Sequence, residues 1–217
     1  MNIGILGTGI VGQTLGSHLI KRGHKVMLGS RSVDNELAKK WAVENNAVSN
    51  IFNEAAAFGD IVFNCTMGIY SLAALKMAGI ENLRQKILVD MANPLDFSLG
   101  MPPRLTICND NSLGEEIQKL LPETKVVKAL NTINNEVMVN PGKINGGNSE
   151  LHICGNDDGA KETVAELIVK ELGWKRECVI DLGAMMHARG TEAMLLFIVS
   201  LAMKYGSFYN GIKVLRG

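Results

Sequence analysis

The chain has 217 residues, 47% of them hydrophobic, and its 22 basic and 22 acidic residues cancel. That is enough apolar material for one sizeable α/β core, and a neutral chain without long Lys/Arg runs lacks the charge footprint of a nucleic-acid binder. The four cysteines, Cys65, Cys108, Cys154 and Cys178, have neither CxxC spacing nor a histidine in a ligand pattern, which argues against a metal site and for reduced thiols in a cytoplasmic protein.

In chain order, NIGIL at 2–6 is an apolar run that ends at Gly7 and reads as a buried strand. The start, MNIGILG, has no basic region or cleavage site, so a signal peptide is not expected. Residues 10–22 read as a helix closed by Gly23, and 24–30 as a second strand. A helix over Asp34–Glu44 precedes a short strand at 47–51 and a helical turn at Glu54–Ala57. DIVFNCT at 60–66 is a strand, 70–79 a helix, and KILVDM at 86–91 a strand that Pro94 stops. A helix at 112–121 ends before Pro122, and 125–130 is a further strand. Residues 135–149, rich in Asn, Gly and Pro, read as a loop. Leu151–Cys154 is strand-like, 157–172 is a helix stopped by Gly173, and Cys178–Asp181 is a last strand. The final helix covers 188–206; its apolar stretch, 193–203, is too short for a bilayer span of about 20 residues. This alternation predicts a doubly wound parallel sheet.

The first chemistry-bearing motif is Gly7-Thr8-Gly9-Ile10-Val11-Gly12, a GxGxxG between a strand and a helix. In that context Gly7 allows a tight turn, Gly9 lets the backbone approach a pyrophosphate, and Gly12 lets helix and strand pack closely. The helix N-terminus adds free N–H groups and a positive dipole end. The motif therefore predicts a Rossmann-type dinucleotide-binding domain over 1–187. Residues 188–217 form a small helical extension of the same compact unit, acting as a lid or a dimer contact.

At the end of the second strand, NAD-specific folds place an acid for the ribose hydroxyls. Here Gly29-Ser30-Arg31-Ser32 stands instead. A carboxylate would repel a 2′-phosphate, whereas Arg31 offers it charge and a fork of donors, with Ser30 and Ser32 hydroxyls alongside, so the expected cofactor is NADP(H). Ligands in such sheets lie at strand carboxyl ends, which nominates Thr66-Met67-Gly68, Asn93-Pro94 and Asn131. Asn93 and Asn131 suit the nicotinamide amide or a ribose, although Asn and Pro are also ordinary turn residues. No catalytic triad or metal-ligand set is visible. Of the histidines only His187 has plausible access to a strand end. Arg189 and Glu192, three apart on the last helix, read as a local ion pair. His18, His24 and His152 read as structural.

The opening stretch GILGTGIVGQTLGSHLIKRGHKVMLGSRS resembles the NADPH-dependent oxidoreductases of the deazaflavin coenzyme F-420, and also the reductase domain of the Steap metalloreductases. The resemblance continues through VVKALNTI, ICGNDDGAKETV, VIDLGAMMHARGTEAM and GIKVL, nearly the whole chain. It implies a Rossmann domain with a small helical end that binds NADP(H). The implied contacts are Thr8, Gly9, Ile10 and Val11 in the turn and Ser30 and Arg31 at the 2′-phosphate. Thr66, Met67, Gly68, Asn93, Pro94 and the Asn131 to Asn135 segment follow more loosely. It further implies hydride transfer by positioning two flat rings, without a protein acid or base. With no membrane segment, the chain is not a complete Steap-type enzyme. NCTMGIY and DMANPLDF differ in composition from the deazaflavin enzymes and leave the small-molecule acceptor open: F-420, a flavin, or a small imine or carbonyl as in pyrroline-carboxylate reductase. The last would need a proton donor, for which His187, Thr132 and Tyr70 are the candidates. A non-enzymatic NADP-binding sensor is the remaining alternative. The apolar final helix suggests a homodimer contact.

Overall fold

The computed structural model of the chain describes residues 1–215. In chain order the elements begin with β1 (Asn2–Leu6), α1 (Ile10–Lys21), β2 (Lys25–Ser30), α2 (Glu36–Glu44) and β3 (Val48–Ile51). Next come α3 (Phe52–Phe58), β4 (Ile61–Asn64), α4 (Gly68–Ala78), α5 (Ile80–Leu83) and β5 (Ile87–Asp90). A two-stranded hairpin, β6 (Leu95–Asp96) with β7 (Arg104–Leu105), precedes α6 (Leu113–Leu120) and β8 (Lys125–Lys128). The chain ends with α7 (Asn135–Met138), β9 (Leu151–Gly155), α8 (Asp158–Leu172), β10 (Val179–Asp181) and α9 (Ala188–Tyr205).

Eight strands form one sheet in the order β10-β9-β8-β5-β4-β1-β2-β3. From β1 the chain winds outward one way through β2 and β3, then returns to build β4, β5 and β8 on the other side. The reversal leaves a crevice above the carboxyl ends of β1 and β4, where such sheets bind ligands. Strands buried on both faces must be apolar throughout, and β1, β4 and β5 are largely so. One face packs Ile3, Ile5, Leu15, Trp41 and Ile168 beneath α1, α2 and α8. The other packs Leu6, Phe52, Leu75, Leu88 and Ile117 beneath α3, α4 and α6. The helix starts follow sequence signals: Asn35, Ser112 and Asp157 each accept a backbone N–H at an N-terminus, and Gly173 ends α8 in the left-handed conformation.

The structure departs from the sequence reading at the β8–β9 junction, the β6–β7 hairpin and α5. The sheet is parallel except at one junction, where β9 runs antiparallel to β8. The segment between them holds only the one-turn α7 and two short 3-10 turns, all within the expected loop, so no full-length helix carries the chain back across the sheet. The chain turns at the top edge and β9 descends, with β10 parallel to it. The β6–β7 hairpin and α5 have no periodicity long enough to be read in advance.

Arg189 and Glu192 do not pair. Arg189 reaches Glu115 on α6 at 2.6 Å, and with that guanidinium alongside, the Glu115 carboxyl sits below the usual carboxylate range. Glu192 is 1% exposed and turns inward. Its carboxylate accepts the amides of Leu113 and Gly114 at 2.8 and 3.0 Å and meets Lys128 Nζ at 2.7 Å. Lys128 is wholly buried, donates to Asp90 at 2.7 Å and to the Ala92 carbonyl at 2.5 Å, and so joins α9, α6, β8 and β5. Burial works against its charge, but Asp90 and Glu192 more than offset it and raise its pKa above the ordinary lysine value.

Removing one partner leaves charge and donors uncompensated in the core. Glu192→Ala should lower the unfolding free energy by about 3 kcal/mol, seen as a drop in the urea midpoint at unchanged slope. A midpoint like the wild type's would mean that the helix end does not depend on this carboxylate.

Candidate functional site

β1 ends at Leu6 and the backbone turns sharply at Gly7, whose φ of +122° suits glycine. A Cβ there would lie 2.6 Å from the Cys65 carbonyl oxygen, and one at Gly12 would lie 2.5 Å from the Gly7 carbonyl oxygen. Gly9 has nothing within 4 Å of its missing Cβ: its side-chain space opens onto the cleft. Gly9 is the N-cap of α1, which has no side-chain cap and no acid in its first turn. The first amides of the helix, at Ile10, Val11 and Gly12, are therefore free to meet an anion. The Thr8 carbonyl accepts from Gln13 Nε2 at 2.8 Å, which holds the loop in place. Ile10 is exposed outside the turn, while Val11 packs against the core.

At the end of β2, Ser30 is buried and its Oγ donates to the Ser32 carbonyl at 2.5 Å, so this hydroxyl shapes the turn. Arg31 is exposed and makes no hydrogen bond or ion pair among the described residues. The nearby Asp34 is engaged by Lys39 at 2.9 Å. Between this turn and α4 lies a cleft of about 430 Å³ that takes in Gly7, Thr8, Gly9, Ser30, Arg31 and Asn35. Its opposite wall is Thr66, Met67, Tyr70, Ala73, Ala74 and Met77, with Phe52 and Cys65 also in the lining. The sequence reading named Thr66, Met67 and Tyr70 but not Ala73, Ala74 or Met77. The signal was present as apolar residues spaced three and four apart from Met67 to Met77, a stripe that continues up to solvent. Burial, with a smaller push from the Asp90 charge, holds the Cys65 thiol well above its ordinary range, so it stays protonated.

A second cluster sits at the ends of β5 and β8. A Cβ on Gly68 would fall 1.9 Å from the Asn93 carbonyl oxygen, so this glycine serves the close approach of the two strand ends. Asn93 Nδ2 donates to the Asn131 carbonyl at 2.7 Å, and Asn131 Nδ2 returns a bond to Asn93 Oδ1 at 2.9 Å. Asn131 is 6% exposed, and its Oδ1 has no hydrogen-bond partner among the described residues. Just before it, Leu130 is held at φ +62°, a costly conformation for a bulky residue. Pro94 is buried, and its carbonyl anchors Thr106 as the hairpin begins. Asn135 is elsewhere: its Nδ2 donates to Thr14 Oγ1 on α1 at 3.0 Å, and it does not line the cleft.

His187 is displaced from the site altogether. Because β9 and β10 descend, the chain after Asp181 emerges at the edge opposite the carboxyl ends of β1, β4 and β5. The Gly155 amide bonds the Gly183 carbonyl there at 2.9 Å, and the turn Met185–His187 follows at once. Among the described residues no cluster of His, Cys, Asp and Glu could hold a metal, and no helix is long and apolar enough to cross a membrane.

Comparison with known proteins bears on this site. Residues 2–94 match the family described as "NADP oxidoreductase coenzyme F420-dependent". The chain is 31% identical to the "F420-dependent NADP reductase" of Methanocaldococcus jannaschii, over 99% of this chain and 98% of that one. A crystal structure of a putative F420-dependent NADP reductase from an Arthrobacter species superposes with a TM-score of 0.93 at 44% identity, with both chains fully covered. The rat metalloreductase STEAP3 is 28% identical over 89% of this chain but only 36% of its own length. The imine reductase of Bacillus cereus, at 15% identity and a TM-score of 0.68, shares the fold.

The glycines separate binding from folding. Gly9→Ala should leave the melting temperature unchanged while weakening NADPH binding by roughly tenfold, or about 1.4 kcal/mol. Gly7→Ala should lower the melting temperature through strain at the turn. Equal melting losses in the two variants would contradict the open space seen at Gly9.

Proposed function

The chain belongs to the family of coenzyme F-420-dependent NADP oxidoreductases, and from that membership we propose that it moves hydride between NADPH and a flat, flavin-like acceptor, F-420 first among them. The bound nicotinamide supplies the hydride chemistry; the chain supplies binding and alignment. The observation that carries the reading is Arg31, a guanidinium without a partner among the described residues at the rim of a cleft that also takes in the Gly7–Gly9 turn. NADP(H) fits these groups. The α1 amides and Gly9 would take the pyrophosphate, Arg31 and the Ser32 hydroxyl the 2′-phosphate, and the apolar α4 wall the adenosine. The unmet Asn131 Oδ1 suits the carboxamide N–H of the nicotinamide. Transfer between two stacked rings then depends on orientation alone, which such residues can supply.

A small imine or carbonyl substrate would call for a proton donor beside the reduced ring. Of the three candidates, His187 emerges at the far edge, Thr132 is buried, and Tyr70 stands on the adenosine wall. Free thiols at all four cysteines accord with a cytoplasmic enzyme. The extension from residue 188 reads as part of the same compact unit. Its outer face, with Phe197 and Met203 half exposed, reads as the contact of a homodimer.

The functional test mixes the purified protein with NADPH and F-420, with FMN and no acceptor alongside, and follows NADPH oxidation. Turnover with F-420 is expected; NADPH binding without turnover on either acceptor would remove the flavin-like acceptor from the reading. Arg31→Ala should weaken NADPH roughly tenfold to a hundredfold while leaving NADH nearly unchanged, because only a charge-assisted bond to the 2′-phosphate is lost. Equal loss for both cofactors would sink the 2′-phosphate assignment. For the dimer, sedimentation should give twice the chain mass for the wild type and a lighter species for Phe197→Glu; a monomeric wild type would remove the contact.

A further inference from the structure

A buried polar chain runs from the core to the cleft, and each donor along it is forced by the one before. Lys128 has only protons to give, and it gives one to Asp90 Oδ2 at 2.7 Å. The Asp90 carboxylate has only lone pairs, so the side chain facing its Oδ1 at 2.8 Å must present a donor, and Asn64 presents Nδ2. That fixes the Asn64 amide with Oδ1 pointing the other way, toward Thr66. There it accepts the Thr66 hydroxyl at 2.6 Å and the Thr66 amide at 3.3 Å. With the one Thr66 hydroxyl proton engaged, Ser71 Oγ must donate to Thr66 Oγ1 across 2.7 Å, while it accepts the second Asn64 Nδ2 proton at 3.3 Å. Asn64, Ser71, Asp90 and Lys128 are all fully buried, so water cannot scramble the order. Thr66 alone reaches the cleft, with one lone pair left over and no proton to offer.

We propose that this chain makes the Thr66 hydroxyl an obligate acceptor, selecting a hydrogen-bond donor on the bound dinucleotide, a ribose hydroxyl and not a phosphate oxygen, with Lys128, Asp90 and Asn64 as positioning residues. The inference rests on the reading of the cleft as the NADP(H) site. It divides the cleft into two recognition fields. The turn at Gly9 and Arg31 is electropositive and takes phosphate, whereas the end of β4 offers lone pairs and takes hydroxyl. It also gives the buried Lys128 a task at a cleft it never touches: its charge sets the sense of every hydrogen bond up to the ligand.

The sense can be inverted and restored. In Asp90→Asn the new amide turns its oxygen to Lys128 and its Nδ2 to Asn64. Asn64 then flips, its Nδ2 donates to Thr66 Oγ1, and the Thr66 proton is released to Ser71 Oγ or to the cleft, so Thr66 is no longer held as an acceptor. In Asp90→Asn with Asn64→Asp, the carboxylate and amide trade places, the buried charge is conserved, and the carboxylate now on β4 again accepts from Thr66. NADPH dissociation constants from fluorescence titration are expected to rise about tenfold for Asp90→Asn and for Thr66→Val. They should return to within about threefold of the wild type for the exchanged pair and for Thr66→Ser. Adding Thr66→Val to Asp90→Asn should cost nothing further, because both remove the same contact. Thr66→Val leaves the buried charges alone, so it reports even where Asp90→Asn unfolds. A folded Thr66→Val that binds NADPH like the wild type overturns the proposal, as does an exchanged pair that melts normally and stays weak. A wild type that fails to bind NADPH would instead overturn the reading of the cleft itself.

Discussion

A lysine without solvent, held between two carboxylates, is the constraint around which this molecule is arranged. Lys128 on β8 meets Asp90 from β5 and Glu192 from α9, all essentially unexposed. Such a group is tolerable only with its partners in place, since an unpaired charge in the core costs several kcal/mol. The C-terminal helix therefore has a single docking position. Glu192 reaches Lys128 while capping the first amides of α6, so helix, sheet and extension are registered by one carboxylate. Apolar packing beneath α6 supplies much of the cohesion, and the ion cluster supplies the register.

The same cluster reaches the carboxyl ends of β5 and β8. Lys128 also holds the Ala92 carbonyl, next to the Asn93–Pro94 turn, and Leu130 is kept in the left-handed conformation just before Asn131. The ends of β4, β5 and β8 are thereby drawn together by Gly68, by the reciprocal Asn93–Asn131 bonds and by the buried salt bridge. A reaction that asks only for two rings at the right separation gains most from such rigidity, because misplacement, more than missing acid or base, is what would slow it.

The glycine turn and the Arg31 rim of the cleft were legible because their requirements are local. A turn that must reach φ of +122°, a helix start left uncapped and an arginine where an acid would repel phosphate are all properties of short stretches, and Gly7, Gly9 and Arg31 stand where the spacing puts them. The α4 wall was half legible: its apolar spacing is in the sequence, but nothing local says whether Met67, Tyr70 and Met77 face core or cleft. Asn135 was not legible, because an asparagine beside a strand end looks the same in sequence whether it lines a cleft or, as here, bonds Thr14.

The sequence by itself determined the alternation of strands and helices, the glycine turn and the chemistry at the end of β2, because these follow from backbone sterics and charge within a few residues. Tertiary structure alone decided three things. The reversal of β9 carries His187 to the far edge of the sheet. Arg189 and Glu192 bond to Glu115 and Lys128 rather than to each other. Lys128, Asp90 and Asn64 converge from separate strands into one polar chain. Each depends on which strands become neighbours, and that is set by the burial of the whole sheet, not by any segment read alone.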